Sequence, residues 1–124
     1  LVWEAFKDMK GGEIYVKKIP SMKIGEIANA VAPKAKHKII GIRPGEKIHE
    51  QMIGSEDAPH TYEYKDYYKI LPAIHGWSNQ SFRIKNGKKV ANGFVYSSDK
   101  NPDHMTVKQL TSWILKYKKQ IGKI

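Results

Sequence analysis

The spacing of apolar residues changes character along this 124-residue chain, and that change constrains the fold more than any other feature. Val2, Ala5, Phe6 and Met9 recur at helical intervals until Gly11-Gly12 breaks the pattern. Residues 13–17 then alternate as a short strand, with Ile14 and Val16 on one face. Ser21 is placed to cap a helix whose apolar positions are Ile24, Ile27, Ala28 and Val31, and Pro33 stops it. Residues 38–42, Lys-Ile-Ile-Gly-Ile, form a compact apolar strand that runs into an Arg43-Pro44-Gly45 turn. Residues 46–53 have the spacing of a short helix, with Ile48 and Met52 on one side.

Beyond that point the pattern loosens. Tyr62 with Tyr64, and Tyr68 with Ile70, predict two extended stretches, and residues 90–97 a third. Residues 76–89 are polar, with a turn at Asn86-Gly87. Thr106 and Gln109 form a capping box, Met105 and Leu110 a hydrophobic staple, and Val107, Leu110, Ile114, Tyr117 and Ile121 an apolar stripe. The alternation of helix and strand predicts an α/β architecture. Two firm strands make a small sheet, so either the tyrosine-rich stretches join it or other chain completes it.

Charge narrows the function classes less than its sum of +10 suggests. Residues 1–62 hold ten basic and eight acidic side chains, whereas residues 63–124 hold twelve and four. Twenty of the basic residues are lysines, and only Arg43 and Arg83 are arginines. Readout of base edges and phosphates favours the planar fork of arginine, whereas a lysine-rich face serves solubility. A small basic module that binds nucleic acid or another polyanion stays as the alternative reading. With no cysteine, disulfides, thiolate metal sites and a cysteine nucleophile are excluded. No apolar run reaches the roughly 20 residues of a membrane span, and Leu1-Val2-Trp3-Glu4 lacks the form of a signal peptide, so a cytoplasmic domain is expected.

Among candidate sites, residues 41–46, Gly-Ile-Arg-Pro-Gly-Glu, stand out. They place an arginine at the carboxyl end of an expected strand, where open α/β sheets bind ligands. Arg43 could grip a pyrophosphate bidentately, and Glu46 could accept hydrogen bonds from sugar hydroxyls. The competing reading is a surface turn in which the two merely pair, worth at most about 1 kcal/mol. His37, His49, His60, His75 and His104 show no metal-ligand spacing, so no metal site is expected. Ser97, Ser98, Asp99 and His104 hold the residue types of a hydrolytic triad without its nucleophile elbow. Tyr62, Tyr64, Tyr67, Tyr68 and Trp77 read either as a stacking platform or, preferably, as packing. Asn79-Gln80-Ser81 matches a glycosylation sequon of little weight. No Gly-x-Gly-x-x-Gly and no phosphate-binding loop occurs.

Taken together, residues 11–16, Gly-Gly-Glu-Ile-Tyr-Val, and 18–24, Lys-Ile-Pro-Ser-Met-Lys-Ile, carry a resemblance to a known family, as do 32–34, Ala-Pro-Lys, and 39–50 around the Arg-Pro-Gly-Glu turn. Residues 93–101, Gly-Phe-Val-Tyr-Ser-Ser-Asp-Lys-Asn, extend it. The chain resembles the C-terminal part of the inverting UDP-N-acetylglucosamine 4,6-dehydratases, which are extended short-chain dehydrogenase/reductases of polysaccharide and flagellin-glycan biosynthesis. The resemblance implies a substrate-binding C-terminal lobe over residues 1–124. Residues 1–53 would bind the nucleotide-sugar, and 54–124 would supply closing segments and a C-terminal helix. It implies that Arg43 binds the UDP phosphates and Glu46 the ribose. NADP and the tyrosine–lysine catalytic pair are expected on an N-terminal Rossmann domain outside the chain. No residue here is therefore assigned a catalytic role, and the chain alone is expected to be inactive. A UDP-sugar substrate and a homo-oligomeric parent enzyme are implied in the same way.

Overall fold

The computed structural model describes residues 1–73 and 81–121. Trp77, His75 and the sequon asparagine Asn79 lie outside the described residues. The chain divides into two compact units, one of Leu1–Ile19 with Gln51–Lys100 and one of Pro20–Glu50 with Asn101–Ile124.

In the first unit, helix α1 (Val2–Asp8) leads into strand β1 (Ile14–Lys17) through Gly11 and Gly12, both at positive φ. Strands β2 (Gln51–Ile53), β3 (Thr61–Glu63) and β4 (Tyr67–Ile70) follow, with one 3-10 turn at Ala58–His60. Helix α3, the third among the described residues, spans Ser81–Ile84, and strands β5 (Lys88–Lys89) and β6 (Tyr96–Ser97) follow it. Four strands make an antiparallel sheet in the order β1-β4-β3-β5, with Val16 opposite Tyr68 and Glu63 opposite Tyr68 on its other side. Strands β2 and β6 pair separately, with an irregular register between Gln51 and Ile53. The tyrosine-rich stretches thus build the sheet, as their alternation predicts. The core is Val16, Ile53, Tyr68, Ile70 and Tyr96, with Val90 and Phe94 packed against it. Tyr68 meets Tyr96 and Phe94 at ring separations of 5.1 and 5.2 Å, a geometry that adds to simple area burial.

In the second unit, helix α2 (Ile24–Val31) packs on helix α4 (Val107–Ile121). The capping box at the start of α4 forms as expected. The Gln109 N–H donates to Thr106 Oγ1 at 3.3 Å, and the Thr106 N–H donates to Gln109 Oε1 at 2.8 Å.

Three local expectations are corrected. Ser21 does not cap α2, whose N-cap is Lys23. Its backbone is taken instead by a parallel bridge, in which Ser21 N–H donates to Asp103 O at 2.8 Å and Met105 N–H to Ser21 O at 2.9 Å. Residues 46–53 do not form a helix. The fully buried Ile53 enters the core of the first unit as part of β2, paired with Tyr96, while Gln51 and Met52 stay exposed. Residues 38–42 form no strand: Ile39 is 96% exposed, and the segment has no ladder partner among the described residues.

Candidate functional site

The Arg43-Pro44-Gly45-Glu46 turn is small and regular. Glu46 N–H donates to Arg43 O at 3.0 Å, closing the turn, and Gly45 sits at φ +87°, a conformation that side chains rarely adopt. Arg43 N–H donates to Glu46 Oε2 at 2.9 Å, and Arg43 Nε lies 3.9 Å from Glu46 Oε1. Both side chains are mostly exposed, Arg43 by 73%, so this pair contributes little to stability. The turn therefore brings its two side chains within 3.9 Å of each other and leaves the guanidinium fork largely solvated. A planar bidentate donor beside a carboxylate acceptor suits an anionic group next to a diol.

The first unit contains a charged cluster that sequence reading did not single out. Lys69, 1% exposed, donates to the Asp8 carboxylate and to Arg83 O at 2.7 Å, and its ammonium lies 5.2 Å from the Tyr64 ring and 5.4 Å from the Tyr15 ring. Asp8 also receives the Tyr15 hydroxyl at 2.9 Å and pairs with Lys85 Nζ at 2.5 Å. Beside it, Arg83 Nη1 meets Glu13 Oε1 at 2.6 Å, and Glu13 accepts the backbone N–H of Lys10 and Gly11. A cavity of about 260 Å³ opens onto this cluster, walled by Asp8, Lys85, Tyr64 and Tyr67 among others.

Charge coupling in the cluster is strong. Burial alone would raise the Asp8 carboxyl, but hydrogen bonds from Lys69, Lys85 and Tyr15 bring it down from 3.8 to about 2. Burial and the Asp8 charge push the Tyr64 phenol up to about 12. Tyr15 is raised by burial and by its bond to Asp8, and Lys85 by its bond to Asp8. Asp8, Tyr15, Tyr64 and Lys85 are thus moved away from neutrality, where a general acid or base would need to sit. The cluster fastens α1 to the sheet through the Asp8–Lys69 pair. One signal was available in the sequence: Lys69 stands between the buried Tyr68 and Ile70, inside a strand with no exposed position.

The remaining candidates resolve into packing. Ser97 is buried and its hydroxyl donates to Asp99 Oδ1 at 2.6 Å, whereas His104 belongs to the second unit and bridges to Ser21. Tyr62 and Tyr68 are buried, and Tyr64 and Tyr67 stack on each other at 4.6 Å. Those rings do not form an open platform. Among the described residues, no three His, Asp or Glu side chains gather as a metal site, and no helix is long and apolar enough to cross a membrane.

A Tyr-x-x-x-Lys spacing does occur, at Tyr96 and Lys100. Such a pair faces one way on a helix, but here Tyr96 lies in β6 and Lys100 in the turn that follows. The Tyr96 hydroxyl accepts the Ile19 N–H at 2.9 Å and donates to Ile19 O at 3.0 Å, which gives it a structural use.

The mix of strands and helices makes the chain an α/β protein. The family model described as "Polysaccharide biosynthesis protein" matches residues 1–72, and the chain belongs to that family. It is 52% identical over 110 residues to a UDP-N-acetylglucosamine 4,6-dehydratase (inverting) of Campylobacter jejuni, a match that covers 85% of this chain and 33% of the relative, in its C-terminal part. It is 34% identical over 95 residues to a UDP-glucose 4-epimerase of Rickettsia canadensis, covering 73% of this chain and 28% of that one. Among solved structures it resembles that of Pen from Bacillus thuringiensis, with a TM-score of 0.75 and 26% identity over 94% of this chain and 35% of the other. The chain thus spans about a third of the length of the relatives it matches.

Proposed function

We propose that the chain is the UDP-sugar-binding portion, a C-terminal substrate lobe, of a nucleotide-sugar 4,6-dehydratase/5-epimerase that acts on UDP-N-acetylglucosamine in surface polysaccharide or glycan biosynthesis. The observation that carries this reading is the Arg43–Glu46 turn, in which one backbone hydrogen bond and a left-handed glycine fix a guanidinium and a carboxylate side by side. Arg43 binds the pyrophosphate as a fork, and Glu46 accepts the ribose hydroxyls. The 52% identity to a dehydratase supports the substrate class.

The nicotinamide cofactor, NADP, belongs to the remainder of the enzyme. Glycine-rich dinucleotide cradles join a strand to the start of a helix. The Gly11-Gly12 pair runs in the opposite order, from α1 into β1, so the residues present do not fit that group. In this reading the chain orients substrate and leaves the redox chemistry to the upstream two thirds, in a cytoplasmic homo-oligomer.

Nuclear magnetic resonance tests the reading directly. Titration with UDP should shift the Arg43 Nε–H resonance and the Gly45 and Glu46 amides in a saturable way. Shifts confined to other residues, or none at millimolar UDP, overturn it.

A further inference from the structure

We propose that residues 38–42 are a docking strand, which adds by main-chain pairing to the edge of a sheet in the part of the relatives' length that this chain does not span. The segment has the composition of a strand, three β-branched isoleucines in five residues. It nonetheless stands unpaired among the described residues, with Ile39, Ile40 and Ile42 exposed by 96, 70 and 63%. Three large β-branched side chains in one exposed, unpaired run are the form of an interaction segment, not of a solvated loop. Strand addition, with Gly41 leaving its positive-φ conformation, supplies what is missing: partners for the backbone N–H and C=O groups of alternate residues, and cover for side chains on one face.

Length and charge select the occupant. The relatives are about three times as long as this chain, so most of their fold lies outside it. A second copy is a poor partner, because Lys34, Lys36, Lys38, Arg43 and Lys47 flank the isoleucines against the single acid Glu46. Two such segments side by side would oppose like charges, which sheets use to prevent edge pairing. The pairing also has a consequence for the nucleotide site. Arg43 immediately follows Ile42, so fixing the strand would fix where the turn begins.

Amide hydrogen exchange tests the proposal without nucleotide. It is measured in the 124-residue chain alone and in the same chain joined to the upstream two thirds of the Campylobacter jejuni dehydratase. Alternating amides among residues 39–42 should be slowed at least 100-fold in the joined protein and exchange freely in the chain alone. Equal exchange in both overturns the proposal, and so does concentration-dependent protection in the chain alone, which would make a second copy the partner. Should the fusion not fold, the Campylobacter jejuni enzyme itself is read over the aligned segment, with the same two outcomes. The native chain has no cysteine, so alkylation of Ile40→Cys gives an independent reading, protected in the joined protein and reactive alone. Loss of UDP binding on Arg43 substitution would leave these exchange rates unchanged, so this proposal and the nucleotide reading fail separately.

Discussion

Replacing Lys69 by methionine tests how the first unit is held together. The substitution keeps roughly the volume of the side chain and removes its charge. The lost ammonium donates to Asp8 and to Arg83 O, and hydrogen bonds to charged groups are worth about 1.5–3 kcal/mol each. Two effects reduce that sum. Methionine avoids the desolvation of a buried cation, and Asp8 keeps Lys85 at 2.5 Å and the Tyr15 hydroxyl at 2.9 Å. The Arg83 carbonyl, by contrast, loses the Lys69 donor that it has in the native chain. Breaking one side of a buried pair costs about 3–5 kcal/mol, and the retained partners of Asp8 set the expected loss at about 3 kcal/mol. Urea unfolding followed by far-ultraviolet circular dichroism measures it, with an unchanged slope showing that the unfolded state is unaltered. A loss below about 1 kcal/mol, or a gain, would refute the reasoning, because it would mean that the cluster is replaceable by apolar packing.

The same cluster predicts an acid limb. Asp8 titrates lower in the folded chain, at about 2, than its ordinary 3.8, so its contribution is complete above pH 4 and is lost as pH falls toward 2. That loss is about 2 kcal/mol, and an Asp8→Asn variant measured across pH 2–5 should show a flatter profile than the native chain. At the turn, Glu46→Gln keeps an acceptor for the Arg43 N–H but removes the charge. Calorimetry should therefore show UDP affinity reduced less by Glu46→Gln than by Glu46→Ala, which also frees the turn.

How much was legible follows from where each residue finds its partners. Helix α4 could be read from sequence because its capping box and apolar stripe are local, all within 16 residues of one another. The tyrosine-rich strands were legible for a similar reason, since alternation survives whichever neighbour is found. Residues 38–42 carried an equally strong strand signal and form none, because a strand needs a neighbour and none of the described residues supplies it. Ile53 was misread because two apolar residues near Ile48 suit a helix as well as a strand, and only the pairing with Tyr96 decides between them. The charged cluster joins Asp8 to Lys69 across 61 positions and to Lys85 across more, separations that no local pattern encodes. The Arg-Pro-Gly-Glu turn was legible as a turn, because proline and glycine specify its backbone by themselves.

The central claim is that this turn binds the nucleotide of a UDP-sugar, and one titration addresses it most directly. UDP is titrated calorimetrically into the protein at the full length of its relatives, native and Arg43→Ala. Loss of a charge-assisted pair predicts affinity lowered by about 1.5–3 kcal/mol, roughly tenfold to a hundredfold, with the fold intact. Equal affinity in the two proteins would contradict the account.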